Sequence, residues 1–148
     1  MLATSRIGAP EITGECLHGL MQLAPNPSFD FVAAYLDSPS EQLRQAAALA
    51  LAQTHSSKAF EALRTRWEAS PAFERRLLIL PFATLRLTEA LDFLLAVVET
   101  ENEKLACEAV SALKIYQHDD KLKTRLNDVI QKRAAPAVTA SFRQAFRS

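Results

Sequence analysis

Apolar and small residues recur along the chain at a step of 31 residues. Leu20, Leu51, Phe82 and Leu113 stand one step apart, and so do Cys16, Ala47, Leu78 and Ala109. The neighbouring columns keep the step: Leu17, Ala48, Ile79 and Val110, then Gly19, Ala50, Pro81 and Ala112. A second block adds Phe29, Phe60, Leu91 and Leu122, followed by Leu36, Trp67, Val98 and Val129. A fixed period of ~20–50 residues marks a repeat architecture, in which each unit buries its apolar face only against the next.

Within one period the spacing is helical. Phe60, Leu63 and Trp67 lie at i, i+3 and i+7, as do Leu91, Leu94 and Val98, which predicts an outer helix over 28–37, 59–69, 89–99 and 121–133. An inner helix, with Leu43, Ala47, Ala50, Leu51 and Thr54 on one face, is predicted over 10–23, 40–54, 72–85 and 103–117. The breaks are PNPS at 25–28, DSPS at 37–40, THSS at 54–57, ASP at 69–71, TEN at 100–102 and HDD at 118–120. They offer Ser40, Ser70 and Asp119 or Asp120 as N-caps. No clean period-2 run lies between turn signals. The predicted fold is all-α: an α-solenoid of antiparallel helix pairs with a 31-residue period.

Three segments follow. Residues 1–9 form an N-terminal arm or truncated repeat, residues 10–133 an array of about four repeats with the first incomplete, and residues 134–148 a capping or tail helix. That last helix puts Val138, Phe142, Ala145 and Phe146 on one face, with Arg143 and Arg147 alongside; docking on a partner or a membrane surface is the alternative to capping. Ahead of helix 10–23 there is no room for an outer helix. Its open face is covered by residues 1–9, by further repeats or by a partner, so self-association through uncapped ends stays open.

The stretch LRQAAALALAQ at 43–53 is built almost wholly from alanine and leucine. Alanine loses no side-chain entropy in a helix and lets a neighbouring backbone come close. The order Arg44-x-x-Ala47-x-x-Ala50-Leu51-Ala52 resembles the second-helix signature of bacterial HEAT-like repeats, of the kind also seen in phycobilin-lyase-type proteins. That family favours an acid ending the first helix, then an arginine, alanines and an Ala-Leu-Gly ending. Here Asp37 precedes Arg44, Glu68 precedes Arg75 and Glu99 faces Ala106; Thr13 and Ala106 replace the arginine in the other repeats, and the terminal glycine is absent. The resemblance covers roughly residues 10–133. It implies a right-handed superhelix, outer helices convex and inner helices concave, and no single activity: members scaffold proteins, assist maturation, or in divergent cases bind DNA or a chromophore.

Arg44 and Arg75 are expected to be structural, paired with Asp37 or Glu68 or bonded to loop carbonyls, with anion binding as the other reading. Trp67 shares its column with Leu36, Val98 and Val129 and is assigned to the core. Pro81 removes a helix hydrogen bond and should kink its helix near Leu77.

The candidate binding face follows from helical phase. At about 100° per residue, Gln42, Gln45 and Leu49 point away from Leu51, and their counterparts are Phe73, Arg76 and Leu80, then Lys104, Cys107 and Ser111. Leu49, Phe73 and Leu80 are apolar where solvated helices carry charge. Contiguous exposed apolar patches mark interaction sites; burial between neighbouring inner helices is the competing reading.

Composition narrows the chemistry. The 148 residues are 49% hydrophobic and 23% charged, ordinary for a globular chain. Lysine plus arginine equals aspartate plus glutamate at 17 each, so no net field gathers polyanions, which argues against a nucleic-acid partner. Cys16 and Cys107 suggest neither a zinc site nor a disulfide framework. His18, His55 and His118 fall at unrelated columns, and there is no phosphate-cradling Gly-rich loop, nucleophile elbow or carboxylate pair. No cofactor or metal is implied. The N-terminus lacks the apolar run of a signal peptide and nothing approaches the ~18 apolar residues of a membrane span, which leaves a cytoplasmic location as the expectation. The sequence thus reads as a non-enzymatic scaffold or adaptor binding a protein through its concave face. The alternatives are nucleic acid or a small chromophore in the same groove, with Arg76 and Lys104 as its cations, or an accessory subunit of a lyase-type enzyme.

Overall fold

The computed structural model describes residues 10–23 and 25–146. The predicted arm at 1–9 lies outside these. Every regular element among the described residues is helical, and no helix there is long and apolar enough to cross a membrane. The chain divides into two compact units, with the boundary between Ser70 and Pro71.

The first unit holds α1 (Pro10–Leu23), α2 (Pro25–Ala34), a 3-10 turn (Tyr35–Asp37), α3 (Glu41–Ala52) and α4 (Ser57–Ala69). Helix α2 starts three residues before its predicted boundary, within the break assigned to PNPS. Proline suits a first helical turn, where its missing N–H would have no partner anyway. Ser40 caps α3 by accepting from the Leu43 amide at 3.3 Å, and Ser56 caps α4 by accepting from the Ala59 amide at 3.1 Å. Helix α3 packs against α1, and its residues Ala47, Ala48, Ala50, Leu51 and Ala52 have no exposed surface. Among the α1 residues whose side chains are described, Leu17 and Met21 are buried, whereas Leu20, in the same column as the buried Leu51, is 37% exposed.

Arg44 takes the loop-carbonyl alternative, donating to the Ser38 carbonyl at 2.8 Å, and the pairing with Asp37 is corrected, since Asp37 meets Arg66 of α4 at 2.9 Å. The carbonyl lies six residues before the arginine, in the turn that leads into α3, and the acid, 78% exposed, reaches across to α4. Ser70, expected to cap the next helix, instead donates to the Arg66 carbonyl at 2.7 Å and so closes α4. Glu68 pairs with Arg64 one turn earlier, at 3.6 Å. Trp67 is buried, as assigned.

The second unit holds α5 (Ala72–Thr84), α6 (Thr88–Thr100), α7 (Glu103–Ala112), a 3-10 turn (Leu113–Tyr116), α8 (Asp120–Arg133) and α9 (Pro136–Ala145). Helix α7 lies against α5, α6 and α9, and α6 lies against α8. Asn102 caps α7 through the Leu105 amide at 2.9 Å, and Asp119 caps α8 through the Leu122 amide at 3.1 Å. Helix α5 runs through Pro81, which is buried. Arg75 meets Glu101 at 3.7 Å. On the α6–α8 seam, Arg125 meets Asp92 at 2.7 Å, Lys132 meets Glu99 at 3.0 Å and Arg133 donates to the Val98 carbonyl at 3.0 Å. Such half-exposed pairs each contribute little to stability, and they fix register. Arg86 and Ala134, at helix ends, and His55, in the turn between α3 and α4, have φ of 57°, 56° and 50°, the left-handed conformation that glycine usually takes.

Tyr116 latches this unit. Its hydroxyl donates to the Ala83 carbonyl at 2.5 Å, under the Arg86 guanidinium 5.5 Å from the ring centre. Burial pushes the phenol above its ordinary value of 10.0, while Arg86 opposes the rise and Asp119 adds to it. A raised folded value favours the neutral phenol, so this contribution is whole below pH about 10 and is lost as pH climbs through the folded value. Tyr116→Phe is expected to cost about 1–2 kcal/mol near neutral pH, because the Ala83 carbonyl loses its donor. It should also flatten the alkaline loss of stability. Urea unfolding of both proteins at neutral pH and above pH about 10 checks both effects.

Candidate partner-binding face

Helix α5 starts just after Pro71, whose extended backbone supplies the N-terminal boundary without a side-chain cap. Its inner side carries Leu78, Ile79 and Phe82, all buried. Phe73, Arg76, Leu77 and Leu80 follow one another at i, i+3, i+4 and i+7 and form a separate stripe. On that stripe Phe73 is 73% exposed and Leu80 is 43% exposed. The Asn102 cap sets the start of α7 and places Lys104 in its first turn. Ala72, Phe73 and Arg76 from α5 then face Asn102, Lys104 and Leu105 across a cleft of about 220 Å³. The walls combine an aromatic ring, a leucine and two cations.

Three of the predicted face residues, Phe73, Arg76 and Lys104, are thus brought together, with Leu80 two turns along α5. Cys107 departs from the expectation of an open face. Its Sγ lies 3.6 Å from the Ala137 carbonyl oxygen, because α9 packs over this part of α7. Ser111 is exposed. In the first unit Gln42 is exposed, and Gln45 and Leu49 are half-buried on α3, so Leu49 does not stand out to solvent as Phe73 does.

Sequence reasoning missed two features. Leu23, 88% exposed, and Phe31, 54% exposed, are solvated apolar residues of α1 and α2; no helical column flagged them. A cavity of about 570 Å³ in the first unit is lined by Met21, Gln22, Phe29, Gln53, Thr54, Ser56 and Lys58. Lys58 lies over the Phe29 ring at 4.4 Å. Thr54 and Ser56 share a hydroxyl hydrogen bond of 2.8 Å, and Ser56 also caps α4. These hydroxyls are therefore occupied in ending one helix and starting the next, and the cavity wall follows from that turn. The THSS break is the sequence signal that could have located it.

The histidines are dispersed: His18 is on α1, His55 in the turn before α4 and His118 before α8. Among the described residues no three His, Cys, Asp or Glu side chains gather as a metal would require. No family model matches the chain, and no curated protein or solved structure is found to be similar to it.

Proposed function

We propose that the chain is a non-enzymatic binding module, built as an α-solenoid of HEAT-like helix pairs, and that it engages a protein through its inner helices. Support for the repeat comes from the helix starts. Pro10, Glu41, Ala72 and Glu103 begin the inner helices at successive steps of 31 residues, and Pro136 begins α9 two residues late on the same step. Pro25, Ser57, Thr88 and Asp120 begin the outer helices at steps of 32, 31 and 32. The signature at Arg44 to Ala52 adds the resemblance to HEAT-like repeats. The observation that carries the function is the exposure of Phe73 and Leu80 on one stripe of α5, beside Arg76 and Lys104. Burying such apolar groups against a partner is favourable, and binding energy concentrates in anchors of this kind.

The test uses Phe73→Ser combined with Leu80→Ser in the full chain. Both residues are solvated, so stability should stay within about 0.5 kcal/mol of wild type. Capture of the protein that co-purifies with wild type, identified by mass spectrometry, should weaken by at least about 30-fold, the effect of losing one ~2 kcal/mol anchor. Undiminished capture by a folded double variant would move the binding site elsewhere.

A further inference from the structure

We infer that the α5–α7 cleft takes an acidic protein segment that presents an apolar side chain beside its carboxylates. This rests on the reading of the face as protein-binding and adds the partner's chemistry. Arg76 and Lys104 reach the cleft from two different helices, Phe73 and Leu105 give it apolar walls, and no described carboxylate lines it. Lys104 makes no ion pair with any described residue. A volume of about 220 Å³ lies below the ~300–1,000 Å³ of sites that enclose whole small ligands. It suits one or two side chains of a larger partner.

The partner's form follows from the spacing along α5. Phe73 and Leu80 lie seven residues apart, about 10 Å at 1.5 Å per residue. A partner helix with apolar side chains at i and i+7 matches that distance, and its acids would face Arg76 and Lys104. Charge complementarity of this sort selects among apolar partners and speeds encounter. A nucleic-acid strand fits less well. Glu103 and Glu108 stand exposed on α7 outside the cleft, so the positive charge of Arg76 and Lys104 is flanked by acids rather than continued as a track.

Fluorescence anisotropy with the full chain tests this, using labelled synthetic helical peptides of about 15 residues with leucine at i and i+7. One carries Glu and Asp at the flanking positions, one carries Gln and one carries Lys; a labelled oligouridine is the fourth probe. The acidic peptide should bind at least about ten-fold tighter than the Gln peptide, with the Lys peptide weaker still, and added salt should erode the difference. Arg76→Glu with Lys104→Glu should reverse the order of the acidic and Lys peptides, and Lys104→Glu alone should narrow it if the double variant melts early. Phe73→Ser should weaken all three peptides. If the Gln peptide binds as well as the acidic one and Phe73→Ser still weakens both, the face stands and the acidic preference is overturned. Peptide binding that ignores Phe73→Ser would overturn the face itself. Tighter binding of oligouridine than of the acidic peptide, or no binding of the acidic peptide below about 1 mM, would also overturn the inference.

Discussion

Phe82→Ala is expected to lower the unfolding free energy of the second unit by about 3–5 kcal/mol. The Phe82 ring has no exposed surface, and its centre lies 4.4 Å from that of Phe93 on α6 at an interplanar angle of 30°. Truncation removes both the transfer free energy of the ring and its aromatic contact. The cavity left behind closes poorly, because α5 is held between α6 and α7 and Pro81 stiffens the backbone one residue earlier. Phe82→Leu, which keeps most of the volume, should cost much less. Far-UV circular dichroism in urea measures both, and a loss under about 1 kcal/mol for the alanine variant would contradict full burial.

The second large effect is expected from adding volume. Ala47→Leu should destabilise the first unit by about 1–3 kcal/mol, since Ala47 is fully buried on α3, which packs against α1, and the change adds three carbons to that packing. Ala69→Leu, at an exposed position near the end of α4, is the control and should stay within about 0.5 kcal/mol. The chain's one tryptophan, Trp67, belongs to this unit and is buried. Its emission therefore follows the first unit while circular dichroism follows both. An Ala47→Leu transition that shifts by dichroism but not by Trp67 emission would mean that the loss lies outside the α1–α3 packing.

The same residues divide what could be read in advance from what could not. Ser40 and Asp119 cap helices as expected, because a cap involves a side chain and an amide three residues away. Ser70 offered the same type of signal and was misjudged. Its hydroxyl donates to the Arg66 carbonyl of the preceding helix, and Pro71, one residue later, holds the cap position of α5 without a side-chain bond. Asp37 shows the limit more sharply. Its partner, Arg66, lies 29 residues away in sequence, and the two arginines within plausible reach differ only in how their helices are placed.

The sequence by itself determined the helices, most of their boundaries, the caps at Ser40 and Asp119 and most of the apolar faces, because these depend on contacts within one or two turns of the chain and on a 3.6-residue repeat. It also singled out the stripe of Phe73, Arg76 and Leu80 from helical phase alone. Only the tertiary structure decided that Phe73 and Leu80 stand in solvent while Leu49 is half-buried, that Cys107 faces α9, and that Lys104 joins Arg76 around one cleft. Helical phase gives a side chain's direction from its own axis. Whether another helix lies in that direction depends on packing between elements distant in sequence, and the free energy of that packing is spread over many side chains, so no local pattern contains it.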